Sequence, residues 1–314
     1  RPLHFEYAVN AGKHVFMEKP LATDASGVRR VLAAAEEAKK KNLKVGVGLQ
    51  RHHQASYQEA IRRIHDGELG DLITLRCYWN SGPPAKTPVP RENMTELEYQ
   101  IRNWYFFDWL SGDHICEQHI HNLDICNWMM QSHPVEAQGM GGREVRTGKE
   151  YGNIFDHHAV EFTYADGTKM FSQCRQMPGC GRQVTEHAHG SDAMADLGTE
   201  SCKILNRKNE VLWQSERVRR GQGINPYQVE HDVLFEAIRN DRSHNEVEYS
   251  AYSTMTAILG RLATYSGKTV LWDEAFQSDI RLTTDAEEWS APAPVLPRED
   301  GSYAVAVPGA IRVL

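Results

Sequence analysis

The feature that most restricts the fold is a change of hydrophobic period along the chain. Pro2 to Asn10 reads as a helix ended by Gly12, and His14 to Met17 as a short strand; Asp24 then caps a helix whose Val28, Val31, Leu32, Ala35 and Ala38 follow the helical period. Lys39 to Lys41 stand at the end of that helix, where the macrodipole favours cations, and Lys44 to Leu49 is a buried strand. Helix, strand, helix, strand with short links is the rhythm of a parallel α/β sheet, whose ligands sit at the carboxyl ends of strands. Glu18, Lys19, Pro20, Arg51 and His52 all fall there, so a substrate is expected to meet Arg51 and His52.

Past this point the period changes to two. A helix from Ala55 to Asp66, with Tyr57, Ala60, Ile61 and Ile64 inward, leads through Gly67 and Gly70 into the alternating run Leu72 to Trp79. From Val135 onward the strands read as antiparallel. His158 to Tyr164 and Lys169 to Gln173 form a hairpin about Asp166-Gly167, and Cys202 to Leu205 with Val211 to Trp213 form another. Asn225 caps Pro226 to Asn240, Gly267 ends a helix from Glu246 to Ser266, and Ala291 to Pro297 reads as an extended arm. The expected class is α/β plus α+β, with residues 1–52 forming the parallel α/β part and residues 53–314 the α+β part.

Composition narrows the partners. The 314 residues allow about two domains, and 42 acidic against 35 basic side chains give a net charge of −7 with no basic block beyond Lys39 to Lys41, which argues against nucleic acid. No run approaches the roughly 18 apolar residues of a membrane span. Cys77, Cys116, Cys126, Cys174, Cys180 and Cys202 form no CxxC pair, so neither a zinc ribbon nor a disulfide framework is expected.

The densest polar segment is Asp113 to Asp124. Drawn as one helix through Met130, it puts His114, Glu117, His121, Asp124 and Trp128 on one stripe and Cys116, Ile120, Leu123, Asn127 and Met130 on the other. His119 falls on the apolar side, so either the helix starts after it or it is a core histidine; it is also a candidate substrate contact. Glu117, His119, His121, His187 and His189 are zinc-type ligands, but HxH without HExxH or a cysteine pair is a weak pattern, and no metal is expected. Upstream, Tyr99 to Trp109 interleaves aromatic and polar residues as a sugar site does, with Trp104 and Asp108 as candidate contacts.

Ala11 to Pro20, with its Glu18-Lys19-Pro20 triplet after a GKHV strand, resembles the signature of the Gfo/Idh/MocA family of nicotinamide-dependent oxidoreductases. The resemblance continues through Gly48 to Arg51, Gly67 to Gly70, His121-x-x-Asp124, Tyr227 to Ile238 and Ser266 to Lys268. It implies a Rossmann domain followed by a large open, mostly antiparallel sheet, NAD or NADP as cofactor, a carbohydrate-like substrate and a homo-oligomer, dimer or tetramer. Glu18, Lys19, Pro20 and Arg51 would meet the cofactor. Lys19 would stabilise the charge that develops on the substrate oxygen, and His121 would act as the base, with Glu117, where the family has Asp, one turn away to fix its tautomer. His119 stands where the family commonly has Gly. The family's glycine-rich phosphate loop would lie roughly 90 to 100 residues before His14, so the native protein is expected to be longer. Location is left open, cytoplasmic by default or exported through a twin-arginine leader. The implied activity is oxidation of a secondary hydroxyl of a sugar, cyclitol or glycoside; the alternatives are a redox-neutral glycosidase of the same family and a non-catalytic sugar-binding protein.

Overall fold

The computed structural model describes residues 1–84, 86–218, 222–284, 286, 288–311 and 313. Helix α1 (Pro2–Asn10), strand β1 (Val15–Met17), helix α2 (Ala25–Lys40) and strand β2 (Val45–Val47) form the first part. β1 and β2 pair in parallel, with Val15 beside Val45 and Met17 beside Val47. Asp24 opens α2 by accepting the Gly27 N–H at 2.7 Å, and Val28, Val31, Ala35 and Ala38 turn inward.

A 3-10 turn (Gln50–His53) and helix α3 (Ala55–His65) lead into the long strand β3 (Leu72–Ser81). Helices α4 (Glu96–Arg102), α5 (Asp108–Ser111), α6 (His114–Glu117) and α7 (Ile120–Met130) follow. Strands β4 (Glu136–Gly142), β5 (His157–Thr163), β6 (Lys169–Gln176), β7 (Gln183–Gly190), β8 (Ala193–Leu197), β9 (Lys203–Asn206) and β10 (Val211–Gln214) come next. Helices α8 (Pro226–Arg239) and α9 (Val247–Ser266), strand β11 (Val270–Leu271) and helix α10 (Trp272–Gln277) complete the regular structure.

Among the described residues the second part is a nine-stranded sheet in the order β10-β9-β8-β7-β3-β6-β5-β4-β11. Only the β3–β6 contact is parallel; the other neighbours are antiparallel, most of them consecutive strands, with β3–β7 and β4–β11 joined by long connections. Helix α9 is buried on nearly all sides, the mark of a central helix. It packs on α2, α7 and β4, and so joins the two parts. The residues before it extend the parallel pair: Val45 N–H donates to the His244 carbonyl at 2.9 Å, and Val47 N–H to Glu246 Oε2 at 2.8 Å.

Two expectations are corrected here. The helix drawn from His114 to Met130 is interrupted at Gln118 and His119, because the His119 side chain turns down to the sheet, where its Nε2 lies 2.7 Å from Ser172 Oγ on β6. The aromatic run is mostly core: Leu97, Tyr99, Tyr105, Phe106, Phe107 and Trp109 form a second cluster with Ile154, Ala293 and Tyr303, and the Ala291–Pro297 arm lies over it. Gln100 of α4 donates to the Val295 carbonyl of the arm, and Tyr303 Oη, beyond it, donates to Glu96 Oε1 of α4 at 2.7 Å.

Candidate active site

The carboxyl ends of β1 and β2 lie together, and the break between α6 and α7 opens toward them. The Lys19 ammonium, on the loop after β1, donates to Glu117 Oε1 at 2.9 Å and also to the Glu117 backbone carbonyl. Both side chains are about nine-tenths covered, at 11% and 10% exposure. Burial pushes the Glu117 carboxyl up, and the Lys19 charge pulls it back only in part. Two of the three ammonium donors are thus committed, which fixes the cation and leaves a third N–H for a ligand.

His121, in the first turn of α7, has no side-chain hydrogen-bond partner among the described residues, and its Nδ1 is buried and orphaned. Burial, aided by the nearby charges of Lys19 and Arg51, holds its imidazole well below the usual histidine range, so it is neutral at physiological pH. An unpartnered buried nitrogen is costly in a folded protein, and such groups concentrate where a ligand completes them. Its ring lies beside Trp79 of β3, with centroids 6.0 Å apart and planes at 27°.

The other expected site residues are engaged elsewhere or in other ways. Glu117 clamps Lys19 and does not orient His121, which corrects its expected role. Arg51 is buried: its guanidinium pairs with Glu186 and donates to the His121 carbonyl at 3.2 Å, so it is spent inside the protein and does not face a cofactor. Glu186 also accepts from Tyr57 Oη at 2.9 Å and from the Asn122 amide. His52 bonds Asp124 Oδ2 at 2.8 Å between the rings of Trp128 and Tyr249, and Ser253 Oγ donates to the other Asp124 oxygen. His119 is fully buried. Asp108 accepts from Asn153 Nδ2 at 2.8 Å, and Trp104 packs on the second cluster. None of Arg51, His52, His119, Trp104 and Asp108 is brought to Lys19 and His121 as a free side chain, because each is held by packing or by a partner of its own.

Sequence reasoning missed Trp79 and Glu186. Period two along β7 puts Glu186 on the face of Val184 and Ala188, and a charge among core positions was a readable signal. His187 and His189 lie on the opposite face, where His187 Nδ1 meets Asp196 Oδ1 at 2.5 Å, so the zinc-type residues are split between the two sides of the sheet. Asp113, His114 and His158 do cluster, with candidate ligand atoms within 4.8 Å. Both Asp113 oxygens already accept protein donors, among them Phe155 N–H and Tyr265 Oη at 2.8 Å.

At the carboxyl edge of β1 and β2 the acceptors suit the nicotinamide end of a dinucleotide. Glu18 is exposed and its carboxylate lies over Gly48, where a Cβ would stand 2.4 Å from Glu18 Oε2. Gln50 Oε1 is buried and unpartnered, free to accept from hydroxyls or an amide, and Glu230 Oε2 is likewise buried and unpartnered, on a carboxyl that is mostly protonated at neutral pH and so can also donate. Burial, together with the Glu18 and Glu246 charges, pushes Glu230 up to about 8. Glu18, Lys19 and Gln50 are the residues that would hold such a group.

Known families match both parts of this fold. Residues 2–48 match a profile described as "Oxidoreductase family, NAD-binding Rossmann fold", and residues 57–196 one described as "GFO/IDH/MocA C-terminal domain". The class is thus one with a Rossmann-type portion ahead of an open-sheet domain. Within that class, the chain belongs to the Gfo/Idh/MocA family. It is 32% identical over 172 residues to the inositol 2-dehydrogenase of Pseudomonas fluorescens Pf-5, covering 54% of this chain and 44% of that protein, so the match spans less than half of that relative's length. Against the inositol 2-dehydrogenase of Klebsiella pneumoniae strain 342 it is 25% identical over 263 residues, 82% of this chain and 69% of that protein. Among solved structures, aldose-aldose oxidoreductase from Caulobacter crescentus, complexed with glycerol, superimposes with a TM-score of 0.66 at 19% identity, over 86% of this chain and 75% of that one. A levoglucosan dehydrogenase in complex with NADH and levoglucosan gives a TM-score of 0.67 at 15% identity, over 85% and 75%.

Proposed function

We propose that this protein oxidises a secondary hydroxyl of a sugar, cyclitol or glycoside, with NAD or NADP as hydride acceptor. The observation that carries this reading is the pairing of a cation held by a buried carboxylate with an imidazole kept neutral beside it. Lys19 stabilises the negative charge that grows on the substrate oxygen, and the fixed ammonium needs no reorganisation to do so. His121 takes the hydroxyl proton on its unprotonated nitrogen, which the buried, cation-flanked setting keeps available. A nicotinamide held by Glu18, Lys19 and Gln50 would supply the acceptor for the hydride of the carbinol carbon, so that one proton and one hydride leave the substrate and a carbonyl results. The inositol 2-dehydrogenases among the relatives, and the levoglucosan and NADH held by a protein of the same fold, support the substrate class and the cofactor.

Steady-state reduction of NAD by the intact protein, with myo-inositol and a set of pyranosides, tests the reading. Lys19→Ala is expected to lower kcat by about two orders of magnitude or more with a modest change in cofactor affinity, because the lost interaction belongs to the transition state. An unchanged kcat with lost cofactor affinity would make Lys19 a binding residue and remove the mechanism.

A further inference from the structure

We infer that Trp79 is the platform on which the apolar face of a ring-shaped substrate rests, an inference that builds on the polyol-oxidising reading and names the substrate as cyclic. Period two along β3 sends Leu75, Cys77 and Trp79 to the helix-covered face of the sheet. Leu75 and Cys77 are completely buried. Trp79, next in that row and flanked across the ladder by Cys174 and Val184, remains partly exposed.

The helical cover therefore thins from Trp79 onward in this row, Ser81 being half-buried as well. The cause lies in the cover itself. His119 dips to Ser172 and Cys77, interrupting the helix, and α7 restarts with His121 next to the indole. The His121 ring lies nearly parallel to the indole at 6.0 Å, and the indole, though packed against the core, stays partly exposed. A partly exposed indole beside the His121 imidazole presents an apolar surface next to a proton acceptor.

That pairing matches one ligand chemistry. A pyranose or cyclitol with axial C–H bonds has an apolar face and an equatorial rim of hydroxyls, so a ring lying on the indole directs rim hydroxyls sideways toward His121 and Lys19. An open-chain polyol has no such face and gains little from the indole.

The test is saturation-transfer NMR on the intact protein, with and without NADH, using methyl β-glucopyranoside and scyllo-inositol as ring probes and sorbitol as the open-chain probe. In the wild type the ring C–H protons should receive the strongest saturation. Trp79→Ala is expected to weaken ring binding by roughly three- to tenfold, the range of an aromatic contact, with sorbitol unaffected and Trp79→Phe recovering most of the loss. Thermal melts of both variants report folding, and in turnover the loss should fall on KM rather than kcat. Equal ring affinity in Trp79→Ala and wild type overturns the platform while leaving the dehydrogenase reading standing. Binding of sorbitol alone overturns the cyclic class in the same way. Absence of binding and of cofactor reduction with every probe overturns both together.

Discussion

Lys19 acts on His121 through charge as well as on substrate, and the two effects separate on the pH axis. A lone imidazole titrates at about 6.5, and burial with two nearby cations depresses that of His121 well below it. The acid limb of kcat/KM is therefore expected below about pH 6.5, since the base stays unprotonated further into acid. In Lys19→Met one of the repelling charges is gone, imidazolium is less disfavoured, and the limb should move upward toward the free value while the plateau falls. pH–rate profiles of the two proteins measure this directly; a limb that stays in place would mean that His121 is not the group being titrated. Glu117 could be selected from sequence by its spacing from His121, but its partner could not. The carboxylate reaches Lys19, 98 positions away along the chain, and a contact across the parts of a fold leaves no local pattern.

The placement of His121 is a property of α7, whose first turn is tied to the sheet by the buried Arg51–Glu186 pair and by Asn122. Removing one member of a buried pair leaves an uncompensated charge, and Glu186→Ala is expected to destabilise by about 3 to 5 kcal/mol. The double variant Arg51→Met, Glu186→Met removes both charges and should regain much of that stability in urea melts. Its kcat should stay low, because nothing then holds the His121 carbonyl. Full recovery of both would mean that α7 is positioned by packing alone. Elements with strong local signals were readable: the Asp24 cap, the hairpin through Asp166-Gly167, and the left-handed end of α9 at Gly267, with φ 69°. A helix start after His119 was legible too, from its place on the apolar side, but the partner that holds it was not, since helical periodicity carries no information about a hydroxyl, Ser172, waiting on a strand 53 residues further on.

At the scale of the molecule, the open sheet meets the β1–β2 pair through α9, and a layer of buried titratable groups lies by the carboxyl end of that helix, at Tyr265. A boundary near residue 52 is our proposal for the domain division, although α9 from the later part packs on α2 of the earlier one. No helix of the described residues is long and apolar enough to cross a membrane. The layer includes Asp113, held at φ 69° and ψ 164°, a region rarely used by residues other than glycine, and His114 beside it, both fully buried. The turn is sustained by the bonds Asp113 makes to the His114 and Phe155 N–H groups and to Tyr265. Burial lowers His114 to about 4, against the partial opposition of Asp113. An unfolded chain protonates this histidine near pH 6.5 and the folded one only near 4, so its contribution is intact above about 6.5 and is lost progressively as the pH falls to 4, by about 3 kcal/mol in all. Asp113 is itself held well below its usual range, so its contribution is lost only at still lower pH, beneath about 3.8. His114→Gln keeps a donor near Asp113 without a titrating ring, and should melt lower than wild type at pH 7 yet lose less between pH 6.5 and 4. Melting curves followed by circular dichroism through that window would decide it: parallel slopes for the two proteins would show that the acid lability of the fold resides in another group.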